Sequence, residues 1–553
     1  MDGLFGWLHL DLATSTWTTL VFVTTLIGIV IIERWWHMGK LERLGYTGPP
    51  KNFLFGNLKE MARMNSNFQD GWKEIIDKYG SQVGNLEGKS MAIYSGRVPC
   101  IVVTNPEVIK YVGIRGFDKF RNRPFSRLVR SKNLLSLRDD RWRSVRHTLT
   151  PTFSQAKMKL MSQAINDAVS VTLEIIEDHI KQNKPTDFYG LYHGLTLEVI
   201  GKCALAINVE SQRNPDHPLL QKCKEIFKTF KVNSFNRVLG TLFPSLVIYL
   251  RRYLGRFFSE RSRHDKKLKV DILEVIENRK NVPVGRTVDA LQLMLEAAQL
   301  VSSEEVEKNS PKDDSNANLS NGKEEGVGKR PQNVKELDKR EPKMTEDEVA
   351  DNAIVFLLAG YETTSTMLSY TTYLLAKHPD VQQRLYEEIV QHLNEEEEVT
   401  YDMINELEYL DMVMNESLRF YPPIASSISR EVDEDCEFEG LKFPAGASVF
   451  FPIAYMHYNE HFWPNPKTFD PERFHPSKRR DIHVASFLPF GLGPRNCIGF
   501  RFAFMEGKIA LARLLRRYCI QMCDLTEEEI KMKAANISLT PESGHIYLRC
   551  VHR

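Results

Sequence analysis

The sequence predicts a mainly α-helical protein with a small β-sheet region and an N-terminal transmembrane helix. Thr345 and Glu348 have the spacing of a capping box and open a long segment of helical periodicity. Short apolar stretches at residues 91–94 and 101–103 predict a small sheet near the start of the chain. Residues 12–32 carry no charged side chain, and a run of this length can cross a bilayer core.

Composition narrows the class of protein. The 553 residues are 42% hydrophobic and 26% charged, which is enough to form a large core. The formal net charge of +1 argues against a nucleic-acid partner, because nucleic-acid binding usually needs a strong basic excess. None of the eight cysteines forms a C-x-x-C pair, which argues against zinc and favours reduced thiols on the cytosolic side.

The N-terminal apolar run has two interpretations, an uncleaved anchor or a cleaved signal peptide. No basic region precedes the run, and Glu33 and Arg34 stand where a signal peptide would have small residues. Basic residues follow the run, so the bulk of the chain is expected on the cytoplasmic side of a lipid bilayer. We therefore expect residues 1–44 to form a membrane anchor and its flank, and residues 45–553 to form a globular domain.

Residues 302–343 differ in composition from the rest of that domain. They contain no aromatic residue and are rich in Glu, Lys, Asp, Asn, Ser and Gly. Such a segment cannot bury enough apolar surface to order itself. We predict a flexible charged insertion, with a solvated loop favoured over a regulatory or partner-binding segment.

A cysteine-containing loop, residues 490–499, is the most informative stretch of the chain. Gly491 and Gly493 permit positive φ, and an apolar helix face begins just beyond Cys497. A thiol at a helix N-terminus is expected to be stabilised as a thiolate. From the residues alone, Cys497 is a nucleophile, an iron ligand or a buried packing residue.

The spacing F-x-x-G-x-R-x-C-x-G resembles the heme loop of the cytochrome P450 family, and all five of its fixed positions match. These positions are Phe490, Gly493, Arg495, Cys497 and Gly499. The resemblance implies a cytochrome P450 fold that holds heme b between the long central helix and the helix after the cysteine loop. It makes Cys497 the axial thiolate ligand of the heme iron, with Phe490 and Arg495 as cofactor-binding residues.

The long helix carries a second match, because residues 359–363 resemble the family's A-G-x-[DE]-T pattern. This makes Glu362 and Thr363 the residues that deliver protons during dioxygen activation. The alternative for Thr363 is a hydroxyl that bonds back to its own helix. A mid-helix glycine costs about 1 kcal/mol against alanine, so Gly360 indicates a bulky or flat group close to the backbone, and we assign it to cofactor binding.

Three further positions match the family's propionate-binding residues. Trp142 and Arg146 lie one helical turn apart in a W-x-x-x-R pattern, and Arg430 is a candidate by resemblance. Residues 121–125 are close to a related arginine pair, but their order differs and they are left out of the expected site.

Glu416 and Arg419 form an E-x-x-R pair at helical spacing i, i+3. Taken alone, this is an ordinary pair worth about 0–1 kcal/mol when exposed. The resemblance implies instead a buried pair joined by Arg473, with an architectural role behind the heme.

The apolar run at residues 239–250 is too short to span a membrane. It is expected to be a core segment, or else a substrate entrance that dips into lipid.

The resemblance is strongest to the vertebrate drug-metabolising subfamily three and its relative thromboxane synthase. It implies a heme-thiolate monooxygenase of the endoplasmic reticulum membrane, acting on lipophilic substrates. The chain carries no dinucleotide-binding motif, so electrons are expected from an NADPH-dependent flavoprotein reductase, with cytochrome b5 as a second partner. Two alternatives stay open: an endoperoxide isomerase that needs no reductase, and a non-catalytic heme-binding membrane protein. The retained Glu362–Thr363 pair favours monooxygenation, because thromboxane synthase lacks the threonine.

Overall fold

The computed structural model describes residues 2–66, 68–84, 88–127, 131–229, 260–280, 289–298, 343–393, 398–533 and 538–553. Within these ranges the α-helices, numbered here in chain order, are α1 (Asp2–Met38), α2 (Leu58–Ser66), α3 (Gly71–Tyr79), α4 (Pro106–Lys110), α5 (Asp139–Leu149), α6 (Gln155–Lys181), α7 (Phe188–Leu205), α8 (Pro218–Thr229), α9 (Glu260–Lys280), α10 (Ala290–Ala297), α11 (Glu346–Lys377), α12 (Pro379–His392), α13 (Glu408–Phe420), α14 (Ile453–His457) and α15 (Phe500–Arg517). The prediction of a mainly helical protein is confirmed.

The strands form small sheets at the edge of this helical body. They are β1 (Ser90–Ser95), β2 (Val98–Val103), β3 (Thr186–Asp187), β4 (Ser427–Glu431), β5 (Cys436–Phe438), β6 (Leu441–Phe443), β7 (Ser448–Pro452), β8 (Tyr518–Gln521) and β9 (Tyr547–His552). The main sheet has the order β1-β2-β7-β4, in which β2 and β7 are parallel and the other pairs antiparallel. The two apolar stretches predicted as strands lie within β1 and β2.

The central helix α11 begins and ends where its capping signals predict. Thr345 accepts a hydrogen bond from the Glu348 N–H, and the Glu348 carboxylate accepts one from the Thr345 N–H at 2.8 Å. These contacts satisfy donors that the first helical turn would otherwise leave without partners. At the other end, His378 leads into Pro379, which cannot continue the same helix. Helix α11 packs along α7 and also contacts α13 and α15.

The one segment in the described part of the chain that is long and apolar enough to cross a membrane spans residues 17–44, most of which belong to helix α1. The described side chains of its apolar part are largely exposed, including Phe22, Ile32 and Trp35. Arg34, near the end of the helix, is buried and donates hydrogen bonds to the carbonyls of Phe53 at 2.9 Å and Gly96 at 3.0 Å. The end of α1 is therefore held against the β1–β2 hairpin.

Two predictions fall outside the described residues. The charged insertion lies almost entirely within residues 299–342, and the apolar run at 239–250 lies within residues 230–259. Both stay predictions.

Candidate functional site

The cysteine loop folds back on itself just before α15. Gly491 and Gly493 have φ values of +77° and +70°, as their positions predicted. A Cβ atom at position 493 would lie 1.8 Å from the Gly113 carbonyl oxygen, so only glycine fits there. The Cys497 N–H donates to the Phe490 carbonyl at 2.8 Å and closes the loop. The sequence Gly-x-Gly therefore sets the position of the thiol.

The electrostatic environment of Cys497 differs from the prediction. The residue has an exposed surface, yet it lies deep enough for burial to raise the pKa of its thiol above the usual value. The Gly499 N–H, Arg146 and Arg123 act in the opposite direction and lower that pKa, but burial is the larger effect. The Gly499 N–H therefore favours the thiolate, as expected at a helix terminus, while burial favours the protonated thiol.

Four guanidinium groups lie around this loop, and we call them the arginine cluster. Its members are Arg123, Arg146, Arg430 and Arg495. Arg146 comes from α5 and donates to the Asn496 carbonyl and side-chain oxygen, both at 3.0 Å. Arg430 comes from β4, and Arg495 comes from the cysteine loop itself. Arg123 donates to the Arg495 carbonyl at 3.4 Å. Elements from four parts of the chain thus bring positive charge to one place.

The cluster lacks negative charge of its own. In the described part of the chain, no member forms an ion pair with a carboxylate; the hydrogen bonds of Arg430 and Arg495 go to backbone carbonyls. Burial lowers the pKa of Arg123, Arg430 and Arg495, and neighbouring guanidiniums lower each of them further. The buried Arg430 Nε atom has no hydrogen-bond acceptor among the described residues. Buried like charges are costly unless paired, so the cluster is chemically suited to an anionic group such as the two propionates of heme.

The aromatic residues of the expected site pack around these charges. Trp142 is buried on α5, and the Arg495 guanidinium lies 4.0 Å from its ring centroid. This contact holds Arg495 by a cation–π interaction. Phe490 is half-buried and packs against Phe500 and Phe504 of α15, with centroids 6.1 and 5.6 Å apart.

A ring contact joins the cysteine loop to the central helix. Phe153 lies edge-on to Phe356 of α11 at 5.8 Å and to Phe502 of α15 at 6.3 Å. The same ring lies 3.7 Å from the Cβ that Gly499 would carry as an alanine. Phe153 thus packs between the central helix and the helix that follows the cysteine loop.

Glu362 and Thr363 are adjacent on α11, but their side chains point in different directions. The Thr363 hydroxyl donates to the Ala359 carbonyl at 2.8 Å, which is the back-bonding alternative. Glu362 is buried and accepts a hydrogen bond from Ser538 at 2.7 Å, and its other carboxylate oxygen lies 3.2 Å from His193 Nε2. No hydrogen bond joins the two residues in the described structure.

Gly360 has a packing explanation that the sequence did not reveal. A Cβ atom at this position would lie 2.8 Å from the Cδ1 and Cγ1 atoms of Ile200 on α7. The group that approaches the backbone here is therefore a neighbouring helix. The assignment of Gly360 to cofactor binding stays a prediction.

Glu416, Arg419 and Arg473, which we call the Glu416 network, are brought together in the core. Glu416 and Arg419 are fully buried and form two parallel hydrogen bonds of 2.7 and 2.8 Å. The Arg473 Nε atom lies 3.4 Å from Glu416, whose carboxylate also accepts from the Asp470 N–H at 3.0 Å. Burial is the largest influence on the pKa of Glu416 and raises it.

His457 connects this network to the chain leading into the cysteine loop, and sequence reasoning missed it. Its Nε2 accepts from the Leu488 N–H at 2.8 Å, and its carbonyl accepts from Arg419 at 2.8 Å. Its Nδ1 lies 3.2 Å from the Arg419 carbonyl, to which it donates. Burial lowers the pKa of His457 to about 3, so the ring is neutral. No local pattern around His457 indicated these contacts.

Arg123 is the other residue that sequence reasoning left out. The arginines of residues 121–125 were visible, but their order did not match the family pattern. The structure nevertheless places the Arg123 guanidinium beside Arg146 and Arg495.

The protein has the features of a cysteine-ligated heme protein. A cysteine lies in a glycine-bounded loop of a mainly helical fold, beside arginines that have no carboxylate partner among the described residues. The sequence model of the family described as Cytochrome P450 matches residues 47–322 and 329–548. The chain belongs to the cytochrome P450 family, whose members bind heme b.

The relatives that match over almost their whole length carry two kinds of name, cytochrome P450 3A and thromboxane-A synthase. Cytochrome P450 3A29 of Sus scrofa is 31% identical over 98% of this chain and 97% of its own length. Cytochrome P450 3A41 of Mus musculus is 32% identical over 100% and 98%. Thromboxane-A synthase of Rattus norvegicus is 32% identical over 97% and 98%.

Proposed function

We propose that this protein is a heme-thiolate monooxygenase that inserts one oxygen atom from O2 into lipophilic substrates such as xenobiotics, steroids or fatty-acid derivatives. An NADPH-dependent flavoprotein reductase supplies the electrons, and cytochrome b5 is a second donor. Residues 1–44 anchor the protein in the endoplasmic reticulum membrane by a single span, and residues 45–553 form a cytoplasmic catalytic domain. The long apolar helix α1 and the family match from residue 47 onward support this division.

The observation that carries the proposal is the arginine cluster beside Cys497. Cys497 would supply the thiolate that ligates the heme iron, and Arg146, Arg430 and Arg495, with Arg123, would hold the propionates of heme b. Trp142 would hold Arg495 in place, and Phe490, which packs against α15, would line the heme site. When bound, the heme supplies a redox-active iron that activates dioxygen, with the thiolate as electron donor. Phe153 packs between Phe356 of α11 and Phe502 of α15 and so connects the two helices expected on either side of the cofactor.

The remaining residues of the site transfer protons or hold the polypeptide around the cofactor in place. Glu362 and Thr363 deliver protons to the reacting oxygen, and Thr363 exchanges its bond to Ala359 for that task. The Glu416 network holds the polypeptide behind the heme in one arrangement, because loss of one member would leave a buried charge unpaired.

The first test is the spectrum of the reduced protein under carbon monoxide. Thiolate ligation gives the long-wavelength Soret band of this class, and we expect Cys497→Ala to abolish it. Cys519→Ala is the matched control, since this partly exposed thiol lies on β8. A band that persists in Cys497→Ala would refute the ligand assignment.

The second test concerns Thr363. We expect Thr363→Ala to lower product formed per NADPH consumed and to raise peroxide release by roughly 100-fold, the low end of the usual contribution of a positioned proton donor. Thr364→Ala is the control, because it removes the same hydroxyl and methyl groups from a buried neighbouring threonine. Unchanged coupling in Thr363→Ala would contradict the role of the hydroxyl.

The isomerase is a second candidate, because Thromboxane-A synthase is as similar in sequence to this chain as the cytochrome P450 3A relatives are. The protein is incubated with a prostaglandin endoperoxide in the absence of reductase and NADPH. Rapid rearrangement without electron supply would replace monooxygenation by isomerisation as the proposed function.

A further inference from the structure

His193 on α7 makes an unusual contact with the acid of the proposed proton-delivery pair. Its Nε2 atom lies 3.2 Å from the Glu362 Oε2 atom, and both side chains are about 6% exposed. The ring is fixed between Tyr189, with centroids 4.5 Å apart, and Tyr361, with centroids 4.8 Å apart. This imidazole is therefore held in one orientation toward the carboxyl group.

The second ring nitrogen determines where the proton is. The Nδ1 atom lies 2.8 Å from the Tyr189 carbonyl oxygen, which can only accept, so Nδ1 carries a hydrogen. A neutral ring would then present a lone pair from Nε2 to Glu362. Two lone pairs cannot form a hydrogen bond, so one more proton lies between Nε2 and Oε2. The His193–Glu362 pair accordingly holds one shared proton.

The charge of the pair follows from its surroundings. Burial is the largest influence on the pKa of Glu362 and raises it, but His193, Ser538 and Tyr189 together bring the pKa below its usual value. The Glu362 carboxyl group is therefore ionised in the resting pair, and the shared hydrogen bond runs from Nε2–H to Oε2. The other titratable groups that face the pair are Tyr189, Tyr361 and Tyr370 and the thiol of Cys223 on α8, and burial raises the pKa of each of them. They stay neutral near pH 7.

A chain of hydroxyl groups leads from the pair toward the protein surface. Ser538 donates to Glu362 Oε1 at 2.7 Å, and the Thr540 hydroxyl lies 3.5 Å from Ser538. Ser538 is buried, whereas Thr540 is partly exposed. Hydroxyl groups both donate and accept, so this chain can carry a proton from solvent to the carboxylate.

We propose that His193 is a positioning residue for proton delivery. Together with Glu362 it holds the proton that Glu362 then passes toward Thr363. In the transfer the Nε2–H bond breaks as an O–H bond forms on Glu362, which leaves both groups neutral. The neutral acid then turns toward Thr363 and releases the proton. A solvent proton that enters through Thr540 and Ser538 restores the pair. This inference rests on the proposed monooxygenase function.

The first readout is the protonation state of Glu362, measured by infrared difference spectroscopy on the full-length, heme-loaded protein. In His193→Gln the carboxyl group loses its cationic partner while a hydrogen-bonding side chain remains. Burial then dominates, so we expect a new band of a protonated carboxyl group near pH 7. The band should disappear in the double variant with Glu362→Gln. Identical carboxyl spectra for wild type and His193→Gln would overturn the shared proton.

The second readout is coupling as a function of pH. We expect His193→Gln to lower product per NADPH about tenfold near pH 7 and to raise peroxide, because a carboxyl group of higher pKa is a weaker proton donor. His179→Gln is the matched control, since this half-buried imidazole on α6 bonds Thr186 instead. Coupling equal to wild type at every pH would overturn the role of His193.

A separate variant tests the route from solvent. Ser538→Ala should lower coupling without producing the new carboxyl band, because the imidazole stays in place. If Ser538→Ala leaves coupling unchanged, the hydroxyl route is refuted. If the monooxygenase function itself is wrong, the wild-type protein forms no NADPH-dependent product. The infrared comparison does not depend on that product, so the two failures can be told apart.

Discussion

The two groups of buried arginines in this protein differ in where they find their negative charge. In the Glu416 network, Arg419 is fully buried and bonds a carboxylate three residues away on the same helix. The arginine cluster beside Cys497 is also largely removed from solvent, but it bonds carbonyls and an amide oxygen. In the first region, which we call the complete region, the chain itself supplies a carboxylate to the buried guanidinium. In the second, the incomplete region, no carboxylate of the described residues pairs with the guanidiniums, which leaves the place of the counter-charge open to an anionic ligand.

The largest expected effect comes from breaking the complete region. Glu416→Gln leaves the Arg419 guanidinium buried without a counter-charge, and we expect the free energy of unfolding to fall by about 3–5 kcal/mol. Urea denaturation followed by circular dichroism measures it. Glu472→Gln is the control, because its pair with Arg384 is exposed and should contribute less than about 1 kcal/mol. Equal losses in both variants would remove the distinction between buried and exposed pairs.

A substitution in the incomplete region should change stability in opposite directions in the cofactor-free and the heme-loaded protein. Arg430→Met removes one of several like charges, so the cofactor-free protein should keep or gain stability. The heme-loaded protein should lose a charged hydrogen bond worth about 1.5–3 kcal/mol. We expect heme release to accelerate roughly 10- to 100-fold, measured by transfer to a heme scavenger.

Arg384→Met is the matched control, because its guanidinium pairs with Glu472 on the surface. Arg430→Met would contradict the comparison if it destabilised the cofactor-free protein as strongly as the loaded one.

The smallest effect is a pH dependence at His457, which joins the Glu416 network to the start of the cysteine loop. Its pKa is about 3 in the folded protein, below the usual value of about 6.5. As the pH falls below about 6.5, the unfolded chain binds a proton that the folded chain does not. The ring's contribution to stability is therefore lost as the pH falls, by about 1.4 kcal/mol per pH unit.

The measurement is the difference in unfolding free energy between wild type and His457→Gln from pH 7.5 to pH 5. This difference should shrink as the pH falls. His461→Gln, which alters an exposed histidine, should show no such trend. A difference independent of pH would mean that His457 is not held neutral by burial.

Features that depend on neighbouring residues were predictable. The capping box of α11, the positive φ values at Gly491 and Gly493, and the Glu416–Arg419 pair all involve residues within four positions of each other. Helix and turn geometry fixes such contacts wherever the spacing occurs. The thiol pKa of Cys497 was not predictable in the same way, because the helix terminus is local but burial is not.

By itself, then, the sequence determined the helical class, the N-terminal apolar helix, the cysteine loop and the residues that mark the family. Only the tertiary structure decided that Arg123 joins the arginine cluster, that Ile200 is the group against Gly360, and that Glu362 faces His193. The pairs Arg123–Arg495, Ile200–Gly360 and His193–Glu362 are each separated by 160 positions or more, and many pairings are compatible with the same local patterns. The packing of α7, α11 and the C-terminal segment selects one of these pairings. It does so because each buried polar group must find a partner in the interior that these elements share.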